Sequence, residues 1–172
     1  MLRGILPPLV TPFRSDGALD TAGFESNLEA YATQDLGGVL VLGSNGEAAS
    51  LDEPEKLALV RIARARVPAS RTLLVGTGLE STRATIALTR QVADLGADAA
   101  LVLTPSYYKS QMTPAALRAH FEAVAEASPI PILLYSVPAF TGIPFPAALA
   151  PELARHPRVR GMKESSGDIG LL

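Results

Sequence analysis

The chain has 172 residues, a formal net charge of −2 and 48% hydrophobic residues, which suits one domain with a substantial core, 1–172, better than two. Scattered arginines and a slightly negative balance exclude the basic field that draws nucleic acid or anionic lipid. With no cysteine and two histidines there is no disulfide, thiolate nucleophile or Cys-ligated metal, and no catalytic metal is expected.

Pro7 and Pro8 interrupt the N-terminal segment before a signal-peptide core could form. No apolar run approaches the ~20 residues that cross a bilayer, so a cytoplasmic protein is expected. Apolar, β-branched runs then recur at 4–11, 38–43, 72–77, 99–104, 131–136 and 159–162, and each reads as a strand. Their starts are roughly thirty residues apart, the size of a βα unit. The unbroken hydrophobicity of Val39-Leu40-Val41-Leu42 and of Ile132-Leu133-Leu134 predicts burial on both faces, as in parallel strands covered by helices.

Helical patterns fill the gaps. Asp20 caps a helix with Phe24, Leu28 and Tyr31 on one face, and Pro54 opens a second with Val60, Ala63 and Val67 inward. Ser81 or Thr82 starts a third, with Leu88, Val92 and Leu95 aligned, and Gly96 stops it. Thr113-Pro114 opens a fourth with Leu117, Phe121 and Val124 facing the core. A fifth opening at Pro146 is expected to break at Pro151. The class is therefore α/β. Counting units leaves two architectures, an open doubly wound sheet and a (β/α)8 barrel of which this chain holds about six units.

Polar residues gather at the C-terminal ends of the predicted strands, the end at which parallel α/β folds bind ligands. The second strand ends in Gly43-Ser44-Asn45-Gly46-Glu47, the fourth in Thr104-Pro105-Ser106-Tyr107-Tyr108, the fifth in Tyr135-Ser136 and the sixth in Lys163-Glu164-Ser165. The chain has three lysines; Lys56 and Lys109 fall in a helix and a loop where arginine would serve as well. Lys163, at a strand end, can lose its proton and attack a carbonyl, which a guanidinium cannot. A structural lysine reaching a carboxylate is the alternative. Tyr135 interrupts a strand of Ile and Leu, as a buried phenol tied to backbone or as a proton shuttle beside Lys163. Gly43 to Gly46 can converge backbone N–H groups on a carboxylate or phosphate, or form an ordinary turn. His120 and His156 read as surface or capping residues, and Arg158 and Arg160 as solvated charges.

On these stretches, together with Pro8-Leu9-Val10-Thr11-Pro12-Phe13, Tyr135-Ser136-Val137-Pro138, Thr141-Gly142 and Gly161-Met162-Lys163, the chain resembles the Schiff-base aldolase superfamily of dihydrodipicolinate synthase and N-acetylneuraminate lyase. The resemblance implies a (β/α)8 barrel in which Lys163 forms an imine with pyruvate or another 2-oxo acid, chemistry that requires no metal or organic cofactor. It further implies that Tyr135 shuttles protons, Tyr107 joins Ser44 and Tyr135 in a relay, and Ser44 and Asn45 bind the carboxylate. Ser165 and Phe140 are expected at the substrate. The partner is a small-molecule substrate, not nucleic acid or membrane, and a homo-oligomer, dimer or tetramer, is expected because the relay tyrosine often crosses a subunit interface.

Two departures bear on the substrate. Dihydrodipicolinate synthases typically carry Thr-Thr at Ser44-Asn45, and at Phe140 an arginine that grips the second substrate's carboxylate. The Ser44-Asn45 pair, Gly78 with Glu80-Ser81-Thr82, and Tyr135-Ser136-Val137-Pro138-Ala139 look more like the 4-hydroxy-2-oxoglutarate aldolases, which release pyruvate and glyoxylate; Phe140 is not the residue expected there either, so the acceptor aldehyde stays open. Condensation of pyruvate with aspartate semialdehyde, or a lyase or dehydratase acting on sugar-derived 2-oxo acids, is the alternative.

Overall fold

The computed structural model describes residues 3–169. They form two compact units, residues 3–76 with 91–99, and residues 77–90 with 100–169.

In the first unit, α1 (Thr21–Ala32) starts where Asp20 accepts the Gly23 N–H at 3.0 Å, and it buries Phe24 and Leu28. The helix α2 (Glu53–Arg66) opens on a reciprocal cap: Asp52 accepts the Glu55 N–H at 2.8 Å and the Glu55 carboxylate accepts the Asp52 N–H at 2.9 Å. Two otherwise orphaned donors are thereby satisfied, with Pro54 in the first turn as its missing N–H allows. Strand β1 (Gly38–Val41) is buried throughout and pairs in parallel with β2 (Thr72–Gly76), from Gly38 opposite Thr72 to Val41 opposite Val75.

The run 4–11, expected as a strand, makes one parallel bridge, Pro8 to Leu40. Its bonds are Leu9 N–H to Leu40 C=O at 2.9 Å and Leu40 N–H to Pro7 C=O at 3.0 Å. Pro7 and Pro8 have no N–H to donate, so the ladder cannot lengthen.

In the second unit, β3 (Ala99–Leu103), β4 (Ile132–Ser136) and β5 (Val159–Glu164) are parallel and adjacent in chain order. The helix α3 (Thr82–Asp94) starts in this unit, while its residues 91–94 and Gly96, at φ +90° beyond its end, count with the first. The helix α4 (Pro114–Ala127) is capped by Thr113, and its Leu117, Phe121 and Val124 join Val102, Leu134 and Val159 in a shared core. Two short helices follow β4: α5 (Pro138–Thr141) and α6 (Leu149–Leu153). Pro151 lies in the first turn of α6, where N–H groups have no intrahelical partner, so it begins the helix and does not break it.

One residue differs from the sequence expectation. His120 is 6% exposed on the inner side of α4, whereas a surface role was expected. Its Nδ1 lies 2.9 Å from the Thr82 hydroxyl. Burial pushes its imidazole down to about 4 against an opposing pull from Glu80. Lys56 is likewise buried, with its Nζ donating to the Leu51 carbonyl. Desolvation lowers its pKa, partly offset by Asp52, Glu55 and Glu53. Among the described residues no helix is long and apolar enough to cross a membrane.

Candidate active site

The strand β5 runs beyond Met162, where the sequence pattern ends it, through Lys163 to Glu164. The backbone keeps pairing here: Tyr135 stands opposite Lys163, Ser136 opposite Glu164, and Ser165 donates its N–H to the Ser136 carbonyl at 2.9 Å. Side chains paired across neighbouring strands share a face, and the next residue along points the other way. Lys163 therefore goes with Tyr135, and Glu164 with Ser136. The Lys163 Nζ lies 4.2 Å from the Tyr135 ring centroid. Tyr135 is 5% exposed and Lys163 half-buried. The Tyr135 carbonyl accepts both the N–H and the hydroxyl of Thr104 at 3.2 Å each, which fixes the tyrosine backbone between β3 and β5.

Burial pushes the Glu164 carboxyl up, but donation from the backbone and side chain of Ser166, the polar pull of Ser136 and the Ser165 N–H outweigh it, so its pKa is lowered. The buried Ser136 hydroxyl oxygen makes no hydrogen bond of full geometry among the described residues.

The other expected residues of this unit lie on loops. Tyr107, after β3, is 76% exposed and meets Tyr108 edge-on with ring centroids 5.0 Å apart. Its backbone N–H and that of Ser106 both donate to Glu80 Oε2 at 2.8 Å. Phe140, in α5, is 74% exposed, and Ser165 is exposed just past β5.

In the first unit, Ser44 and Asn45 sit in a 3-10 turn, Ser44–Gly46, closed by the Gly46 N–H on the Gly43 carbonyl at 3.0 Å. Ser44 is half-buried and Asn45 exposed. Leu42 at φ 59° and Glu47 at φ 52° bracket this turn and are the non-glycine residues with positive φ among those described. A residue with a Cβ pays roughly 1–2 kcal/mol there, and such strain tends to cluster where function demands a fixed backbone. Two contacts hold the strained turn. A Cβ on Gly76 would stand 1.9 Å from the Leu42 carbonyl oxygen, so only glycine admits this approach. The buried Thr11 hydroxyl donates to the Gly46 carbonyl at 2.7 Å.

Glu80 and Thr11 were not singled out as site residues by sequence reasoning. Both act on backbone groups of distant loops, which no local pattern reveals; the one available signal was an acidic residue just past a strand end, in Gly78-Leu79-Glu80.

A family model described as the dihydrodipicolinate synthetase family matches residues 1–172. The 4-hydroxy-tetrahydrodipicolinate synthase of Stenotrophomonas maltophilia strain K279a is 43% identical over 169 residues, covering 98% of this chain and 56% of that protein. The protein of the same name from Methanoculleus marisnigri is 41% identical over 175 residues, covering 98% and 58%. Among solved structures, the dihydrodipicolinate synthase of Acinetobacter baumannii complexed with pyruvate superimposes with a TM-score of 0.94 at 34% identity, over 99% of this chain and 58% of that one. A prophage protein of the dihydrodipicolinic acid synthase family from Escherichia coli K12, in complex with pyruvate, gives 0.91 at 34% identity over 97% and 56%. The chain thus spans a little over half the length of these relatives. Its fold class is that of the α/β barrels expected from sequence, of which it covers a part. Matched along its whole length by the family model, the chain belongs to the dihydrodipicolinate synthetase family.

Proposed function

We propose that this chain carries the imine-forming apparatus of a Schiff-base lyase acting on pyruvate or another 2-oxo acid. The observation that carries the reading is the pairing of Lys163 with Tyr135, amine over phenol ring at 4.2 Å on two rigid strands. Neutral Lys163 Nζ attacks the 2-oxo carbon, the carbinolamine loses water, and the protonated imine becomes an electron sink for the bond at C3. Tyr135 moves the protons this needs, on and off the carbinolamine and the oxygen of the reacting aldehyde. Ser44 and Asn45 hold the 2-oxo acid carboxylate, Tyr107 links Ser44 and Tyr135, and Ser165 and Phe140 border the second reactant. Hydrolysis of the imine returns Lys163. On this reading the chain belongs to one catalytic domain, working in the cytoplasm as a homo-oligomer, and the 76% exposure of Tyr107 suits a residue that reaches a partner subunit.

The names of the relatives favour the synthase reaction, in which the enamine of pyruvate attacks aspartate semialdehyde. A second reading draws on the Ser44-Asn45 pair, while Phe140, an exposed apolar ring in α5 where a carboxylate-gripping arginine is typical of the synthases, counts against the synthase reaction without selecting another aldehyde. This second reading is the cleavage of 4-hydroxy-2-oxoglutarate, in which Tyr135 takes the C4 hydroxyl proton, the C3–C4 bond breaks, glyoxylate leaves, and the enamine is protonated to an imine that water hydrolyses to pyruvate. Assays of condensation with aspartate semialdehyde and of pyruvate release from 4-hydroxy-2-oxoglutarate separate the two. Condensation alone rules out the second reading, and activity in neither assay counts against both.

A further inference from the structure

The carboxylate of Glu80 is committed to the loop that carries Tyr107. Its Oε2 accepts the N–H groups of Ser106 and Tyr107 at 2.8 Å each, and its Oε1 accepts the Ser106 hydroxyl at 3.2 Å. These are charge-assisted bonds, about twice as strong as neutral ones. They fall where the strand ladder gives out: Thr104 still donates to the Tyr135 carbonyl, Pro105 has no N–H, and the next two donors would otherwise face solvent.

Glu80 is itself anchored on both sides. The Thr85 hydroxyl accepts the Leu79 N–H at 3.0 Å and donates to the Leu79 carbonyl at 3.1 Å. Thr82, two residues after Glu80, holds the buried Nδ1 of His120 at 2.9 Å. Gly78 lies so close to β3 that a Cβ there would stand 2.2 Å from the Leu103 nitrogen, which brings the 78–81 segment against the strand leading to Tyr107. A clamp on rigid supports orients what it holds, and Tyr107 needs such a clamp because its ring is largely exposed and packs against Tyr108.

We propose that Glu80 is a positioning residue for Tyr107, fixing the backbone from which that phenol enters the proton relay; the inference rests on the relay role given to Tyr107 above. The clamp works through acceptor geometry, since both N–H groups converge on one oxygen, so an amide should replace the carboxylate while a methyl should not.

The test compares Glu80→Ala with Glu80→Gln in the full protein. Glu80 is exposed, so neither change empties the core. Hydrogen–deuterium exchange is followed over the peptide containing Ser106 and Tyr107, together with kcat, KM for pyruvate and the rate of borohydride trapping on Lys163. Glu80→Ala is expected to lose protection at these amides and to lower kcat and the trapping rate about 10- to 100-fold, the usual cost of misplacing a catalytic group by an ångström, with KM changed by less than about threefold. Glu80→Gln is expected to restore protection and most of the rate. Unchanged exchange and rate in Glu80→Ala would overturn the proposal, as would a Glu80→Gln protein as impaired as the alanine variant. Absence of pyruvate trapping in the unsubstituted protein would refute the proposed function instead, and the exchange data alone would then decide whether Glu80 holds the Tyr107 backbone.

Discussion

Tyr135 and Lys163 occupy paired positions on adjacent parallel strands, with the lysine amine 4.2 Å from the centre of the tyrosine ring. Backbone ladders set this arrangement, so the placing of both groups depends on strand register and not on a loop.

Borohydride with pyruvate is expected to add one reduced three-carbon unit to Lys163, read by intact mass and peptide mapping. Lys163→Arg keeps a cation over the ring but cannot form an imine, so it should gain no mass. Tyr135→Phe keeps the packing and removes the shuttle, and turnover should fall about 10² to 10⁴-fold. A Tyr135→Phe enzyme of near wild-type rate would remove the phenol from the mechanism.

Phe140→Arg would place a guanidinium where α5 now presents an exposed ring. A charged hydrogen bond to a carboxylate contributes about 1.5–3 kcal/mol, so relative kcat/KM should shift about 10- to 100-fold toward aspartate semialdehyde. Competition between that aldehyde and glyoxylate measures the shift directly.

Thr11→Val removes the 2.7 Å bond to the Gly46 carbonyl and leaves that oxygen short of a partner. The expected cost is about 1–3 kcal/mol of stability, read by urea denaturation. Since Ser44 and Asn45 ride on the turn that Thr11 holds, KM for pyruvate should rise more than kcat falls.

His120 predicts an acid-sensitive fold. Its folded pKa is about 4, below the ordinary 6.5, chiefly through burial. Between these values the unfolded chain binds the extra proton, so stability is present above pH 6.5 and declines as pH falls toward 4. The full difference is on the order of 3 kcal/mol. Glu80 is the acidic group that pulls the other way. Urea titrations at pH 7 and pH 5 should show the loss, and His120→Gln should flatten it.

Much of the architecture was legible because hydrophobic runs and caps are local. Val39 to Leu42 and Ile132 to Leu134 read as buried parallel strands, and Asp20, Asp52, Pro54 and Thr113 stand at helix starts in the structure. The first run failed as a full strand for a reason also present in the sequence, two prolines that withhold donors. His120 was misjudged because burial depends on what packs against a helix, and polar residue type outweighed position in the reading.

By itself the sequence determined the order of βα units, the polar residues at their C-terminal ends and the family. These follow from short-range periodicity and from residue types that chemistry restricts, a lysine among them. Only the tertiary structure decided that Lys163 lies within its strand and in register with Tyr135, that Leu42 and Glu47 strain the turn holding Ser44 and Asn45, and that Glu80 grips the Tyr107 loop. Register, left-handed backbone and side-chain-to-backbone bonds between loops depend on partners far away in the chain, and no local pattern encodes which partner will arrive.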